Sequence, residues 1–250
     1  MTVPLFDAQC GFGGGTPGLP EVLGAADLLD EMRRSEIARA LVRITPETLD
    51  SDVPASNAAL FAGCADEATL VPCPLVVPSS GGDFPPEEEQ VADLLARGAR
   101  AVWIRPDFDR WLLAEWHSGP LFAALERRRV PVLCLQRLVA TADLADLAAR
   151  YPSLPLLFAE LGYRDQRTYL PLLERFPNVH LVLSPPYSVH RGIEQLVARV
   201  GAERLLFGSG FPATEPMAAI AQVMYAEISE ADKRRVGAAN LEALIEGVEL

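Results

Sequence analysis

The chain has 250 residues, of which 50% are hydrophobic and 22% charged, enough to bury one large core. Its formal charge of −12 leaves no basic field to displace counterions from phosphates, so a nucleic-acid partner is not expected. No apolar run reaches the roughly 18 residues of a membrane span, and no basic segment followed by an apolar run opens the chain. Neither a membrane helix nor a secretory leader is therefore expected. The cysteines, Cys10, Cys64, Cys73 and Cys134, show no CxxC spacing and read as free thiols in a reducing cytoplasm.

In chain order, short apolar runs alternate with longer segments of helical periodicity. A strand is expected over 4–9, then a glycine-rich loop over 11–18 and a helix over 19–34. Strand 38–44 precedes helix 55–66, and strand 70–77 precedes a loop over 79–86 and helix 86–97. Strand 101–105 is followed by helix 119–128, which ends in Arg127, Arg128 and Arg129, cations that suit a helix C-terminus. Strand 130–136 with helix 141–150, strand 156–160 with helix 166–176, and strand 180–184 with helix 192–200 continue the pattern. Strand 204–209 and helix 215–226 close it, and 229–245 reads as one or two further helices, with Ser229 and Asp232 placed as a capping pair. The glycines of 11–18 match neither G-x-G-x-x-G nor a P-loop, and a flexible loop is the expectation.

Regular β-α alternation implies parallel strands joined by crossover helices. Eight repeats of it point to an α/β fold: a single (β/α)₈ TIM barrel over 1–250, with extra C-terminal helices. An open doubly wound sheet is the alternative.

Two segments at opposite ends of the chain carry a family resemblance. They are Phe6-Asp7-Ala8-Gln9-Cys10-Gly11 and Arg204-Leu205-Leu206-Phe207-Gly208-Ser209-Gly210-Phe211-Pro212. Between and after them lie Gly98 to Pro106, Val130 to Gln136, Phe158-Ala159-Glu160-Leu161-Gly162, Phe176-Pro177-Asn178-Val179 and Asn240 to Leu244. Together these resemble, in order, the strand segments of the amidohydrolase-related family of metal-dependent TIM-barrel hydrolases and decarboxylases. The first segment is usually D-x-H-x-H-x-G in that family, and the last ends in G-[ST]-D-[FYW]-P. The resemblance implies a TIM barrel with metal ligands at positions 9, 11, 136, 160 and 210. This chain has Gln9, Gly11, Gln136, Glu160 and Gly210 there, and Trp103 where a basic residue is frequent. A catalytic zinc needs about three protein ligands from His, Cys, Asp or Glu. No metal and no cofactor is therefore expected.

Strand alternation on the family's parity turns Gln9, Arg105, Gln136, Glu160 and Ser184 inward at the C-terminal ends of their strands, where TIM barrels place their sites. Loop residues Arg137, Arg164, Tyr187 and His190 are candidates to lie over the same mouth. One reading is a hydrogen-bonded plug, with Arg105 paired to Glu160 and Gln9 to Gln136. Another is a pocket for a small anionic or amide-bearing molecule, held by Gln9, Arg105, Gln136, Arg164, Ser184 and Tyr187. A third has Glu160 as general base with His190 or Tyr187 as acid, in a metal-independent hydrolase, lactonase or decarboxylase of small carboxylated substrates. A metal held by Glu160 with His180 or His190 is a further alternative. Elsewhere, His180 reads as a core histidine, His117 as a residue just before a helix, Cys10 as facing the helices and Cys134 as lying in the barrel core. The resemblance also implies a possible homodimer.

Overall fold

The computed structural model describes residues 3–13, 24–45 and 52–250. Among them are eight strands: β1 Phe6–Phe12, β2 Arg39–Ile44, β3 Leu70–Pro72, β4 Val102–Ile104, β5 Val132–Leu135, β6 Leu156–Ala159, β7 Val179–Leu183 and β8 Leu205–Phe207. The helices are α1 Ala25–Arg34, α2 Val53–Cys64, α3 Glu87–Ala96, α4 Pro106–Asp109, α5 Glu115–Arg127, α6 Thr141–Arg150, α7 Gln166–Arg175, α8 Gly192–Val200, α9 Pro216–Met224, α10 Glu230–Arg234 and α11 Asn240–Glu246. The start of the helix expected over 19–34, and most of the glycine loop at 11–18, lie outside the described residues.

All neighbouring strands pair in parallel, β1-β2-β3 in one run and β4-β5-β6-β7-β8 in the other. Two seams join the runs. At the first, Trp103 donates to Pro74 O at 3.0 Å and accepts from Val76 N at 3.1 Å. At the second, Gly210 N donates to Gln9 O at 2.8 Å and Gly11 N to Phe211 O at 3.0 Å. The side chain of Asp7 reinforces that second seam, because its Oδ1 accepts from the amides of Gln9 and Ser209, both at 2.9 Å. The result is a closed (β/α)₈ barrel, as the alternation predicts.

Side chains divide by parity. Leu41, Trp103, Leu133, Leu135, Leu157, Ala159, Val182 and Leu206 fill the barrel. Val42, Ile104, Val132, Cys134, Phe158, Leu181 and Phe207 belong to the layer between strands and helices. Cys134 is thus in the outer layer and not in the barrel core, because the inward row of β5 is Leu133 and Leu135. Cys10 packs in the outer layer as expected. At the N-terminal end of the barrel, Ala238, Leu241 and Ile245 close the interior cluster. Asn240 anchors this plug by donating to Ala202 O and Leu205 O, both at 2.8 Å. Ser229 caps α10, its Oγ accepting from Asp232 N at 3.1 Å.

Several expected boundaries move. β3 ends at Pro72 because Pro74 and Pro78 interrupt the ladder. The segment after β4 forms α4, absent from the sequence expectation, with Pro106 at its first position. α5 begins at Glu115 and not at 119, so Pro120 lies inside it and His117 sits within its first turns. No described helix is long and apolar enough to cross a membrane.

Candidate functional site at the barrel mouth

The C-terminal ends of the strands gather the polar side chains. On β1 the pairing with β2 slips between Asp7 and Cys10, and this bulge turns Gln9 into the mouth. Gln9 Nε2 donates to Glu160 Oε1 at 3.1 Å, crossing from the first strand to the end of the sixth. Glu160 follows the inward Ala159, and alternation alone would send it outward. Its φ of +66° brings it back over the mouth. Its second oxygen meets Arg137 Nε at 2.7 Å. The expected Arg105–Glu160 pair does not form. Arg105 Nε instead donates to Asp109 at 2.8 Å, one turn along in α4. Nor do the two glutamines satisfy each other. Gln136 follows Leu135 on the opposite parity and is half-buried, with its amide N–H given to Ala159 O at 3.0 Å.

The strands add two residues that the sequence reading passed over. Arg43, two places after the inward Leu41, is buried with its guanidinium 5.1 Å from the Trp103 ring centre. Arg105 lies 5.7 Å from the same ring. Trp103, standing where a basic residue is frequent in the family, thus carries a guanidinium on β2 and another on its own strand. Thr45 continues the row of Leu41 and Arg43. The signal for both was the period of two along β2.

Among the described residues three oxygen atoms here have no hydrogen-bond partner: Gln9 Oε1, Thr45 Oγ1 and Ser184 Oγ. Their residues are 3%, 7% and 1% exposed. Buried polar atoms are nearly always paired, so three unpaired oxygens at the strand ends are unusual among the described residues.

The remaining candidates are elsewhere. Tyr187 is buried against Tyr169, edge to face, with centroids 6.1 Å apart. Tyr187 and the exposed His190 line a separate groove with Gln222 and Tyr225 at the end of α9. Arg164 is exposed and donates to Tyr163 Oη at 2.9 Å. Among the described residues none of the three has a hydrogen bond or ion pair with Gln9 or Glu160. His180 is on β7 at the N-terminal half of the barrel, and burial lowers its pKa to about 4.

Among the described residues no three His, Cys, Asp or Glu side chains are grouped to hold a metal. The backbone is also unsuited to the family's ligands. A Cβ at Gly11 would meet Arg43 O at 2.3 Å. Gly210 has φ +71°, and a Cβ there would meet Thr214 Oγ1 at 2.4 Å. Gln9 presents its N–H to Glu160, and Arg137 approaches from the other side. The donor set does not fit a divalent ion.

A closed parallel barrel with its polar groups at the C-terminal mouth defines a TIM-barrel protein. The chain belongs to the amidohydrolase family, whose sequence pattern matches residues 15–244. No curated protein sequence matches it. Solved structures do. The 5-carboxyvanillate decarboxylase of Sphingomonas paucimobilis superposes with TM-score 0.73 at 14% identity, covering 98% of this chain and 99% of that one. The 2,6-dihydroxybenzoate decarboxylase from Rhizobium gives 0.69 at 14% identity, with 98% and 99% covered. A probable 2-pyrone-4,6-dicarboxylic acid hydrolase from Acinetobacter baumannii, with citric acid bound, gives 0.71 at 12% identity, with 97% and 99% covered. At these identities the likeness establishes the fold.

Proposed function

We propose that the barrel mouth binds a small hydroxylated or amide-bearing carboxylate without a resident metal ion. The observation that carries this reading is the set of buried, unpartnered oxygens of Gln9, Thr45 and Ser184, at the same end of the barrel as the buried Arg43 on β2 and Arg105 after β4. Gln9 Oε1 only accepts, so the ligand must bring an O–H or N–H to it. A carboxylate suits the guanidiniums, which offer forked, charge-assisted donors. The names of the structural neighbours, two aromatic-acid decarboxylases and a dicarboxylic acid hydrolase, agree with a carboxylate ligand.

A second reading makes the site a metal-independent hydrolase. It is favoured by the placement of Glu160, whose left-handed backbone sets its carboxylate over the mouth between Gln9 and Arg137. In that reading Glu160 takes the proton of an attacking water, and Arg137 and Gln9 fix the carboxylate in place. Turnover by wild type and its loss in Glu160→Gln would separate hydrolysis from binding alone.

The test is calorimetric titration of citrate, malate and salicylate into protein held in chelator, beside metal analysis of the untagged protein. Saturable binding that weakens at least about tenfold in Arg105→Met supports the reading. Binding or turnover that appears only when zinc or manganese is restored overturns it.

A further inference from the structure

Beside the mouth, the segments after β3 and β4 and the start of α2 enclose a groove of about 530 Å³. In it Ser80 Oγ and His117 Nε2 hydrogen-bond at 3.0 Å. Ser80 is exposed, in a short 3₁₀ turn over Ser79–Gly81, and His117 is half-buried on α5. Trp111 lines the same groove. It is 6% exposed and its indole N–H has no acceptor. The walls are apolar at Pro78 and Phe84, and the charged residues on them are Asp52, Asp83 and Asp109 against the single cation Arg110.

We propose that Ser80 is an acyl-accepting nucleophile activated by His117, in an esterolytic site distinct from the carboxylate-binding mouth. A hydroxyl becomes reactive when a positioned base takes its proton, and the Oγ–Nε2 distance meets that requirement. Ser80 Oγ bonds to the carbonyl carbon of an ester as its proton passes to Nε2. Collapse of the tetrahedral species breaks the bond to the alkoxy group, which leaves as an alcohol with the proton from Nε2. Water, deprotonated by the same nitrogen, then releases the acid and restores Ser80.

The charge of the groove sets its substrate class. Asp52 and Asp83 outnumber Arg110, and their excess negative charge disfavours an anionic acyl group and admits neutral or cationic esters. The mouth has the opposite preference, through Arg43 and Arg105. The two sites share one element, because Asp109 lines the groove and also holds Arg105.

The test uses a tagged alkyl fluorophosphonate and two chromogenic esters, p-nitrophenyl acetate and the anionic p-nitrophenyl hemisuccinate. The expected result is one adduct per chain, mapped to Ser80 by peptide mass. It should be absent in Ser80→Ala and slower by at least about 100-fold in His117→Gln, the range of a lost general base. The acetate should turn over at least about tenfold faster than the hemisuccinate. An unlabelled Ser80, or a His117→Gln variant of unchanged circular dichroism that labels at the wild-type rate, overturns the proposal. Carboxylate binding at the mouth, measured by calorimetry, is a separate readout that Ser80→Ala leaves untouched.

Discussion

Gln9 Nε2 and Glu160 Oε1 lie 3.1 Å apart, and this one hydrogen bond links the first strand to the end of the sixth across the mouth. The same carboxylate is held by Arg137 from the side. Two positions that the family resemblance assigns to a metal are here bonded to each other. The relation makes Gln9 the most informative residue to change.

Gln9→Leu removes the donor to Glu160 and an acceptor that is already unpaired. Stability should stay within about 1 kcal/mol of wild type, because an orphaned buried oxygen leaves with the lost bond. Affinity for a hydroxy-carboxylate should fall by roughly tenfold, about 1.4 kcal/mol. Urea melts beside calorimetric titration read both. A variant that loses more than about 3 kcal/mol would make Gln9 structural first.

Asp7 separates a need for an acceptor from a need for a charge. Burial raises its carboxyl above the ordinary aspartate range, against the pull of its bonds to Ser209 and Gln9. Asp7→Asn keeps an oxygen for both amides and should cost no more than about 1 kcal/mol at neutral pH. Asp7→Ala strands two buried N–H groups and should cost about 2–4 kcal/mol, read by urea denaturation. Equal losses in the two variants would mean that the charge itself holds the β8–β1 seam.

Asp109 positions Arg105. Asp109→Ala removes one partner of a buried guanidinium and should weaken carboxylate binding by at least about fivefold, with a stability loss of about 1–3 kcal/mol. Asp109→Glu, which keeps the charge on a longer arm, should recover part of the affinity. Binding unchanged in Asp109→Ala would detach Arg105 from the ligand.

His180 gives the fold an acid limit. Burial is the larger cause of its lowered pKa and the nearby charge of Arg204 the lesser, taking it from 6.5 to about 4. The unfolded chain then binds the proton that the folded chain refuses. Stability should therefore fall as pH drops from about 6.5 toward 4, by at most about 3 kcal/mol from this group. His180→Gln should flatten that part of a stability–pH curve measured by urea melts. An unchanged slope would assign the acid limit to other groups.

The thiols should be silent in the native protein. Cys10, Cys64, Cys73 and Cys134 are all buried and free, and burial pushes the Cys64 thiol up to about 12. Ellman's reagent should find almost no reactive thiol at pH 8 and all four after denaturation. Fast reaction of one thiol in the native state would show local opening, with Cys64 the first candidate because it is the least buried of the set.

The barrel is legible in the alternation along the chain. Period-two strands alternating with helices leave few ways to bury both faces of a parallel sheet, and the spacing of the repeats placed each strand within a few residues. The residues at the positions where the resemblance implies ligands, Gln9, Gly11, Gln136, Glu160 and Gly210, are read as directly, because identity at a position needs no geometry. What these residues do at the mouth depends on contacts across the barrel. Glu160 reaches the mouth through one positive φ, Gln9 through one bulge, and Arg105 turns to Asp109 because α4 places that carboxylate one turn away. Such local departures from regular geometry leave no periodic trace. They arise from contacts between segments far apart in the chain, which alternation along one strand cannot encode.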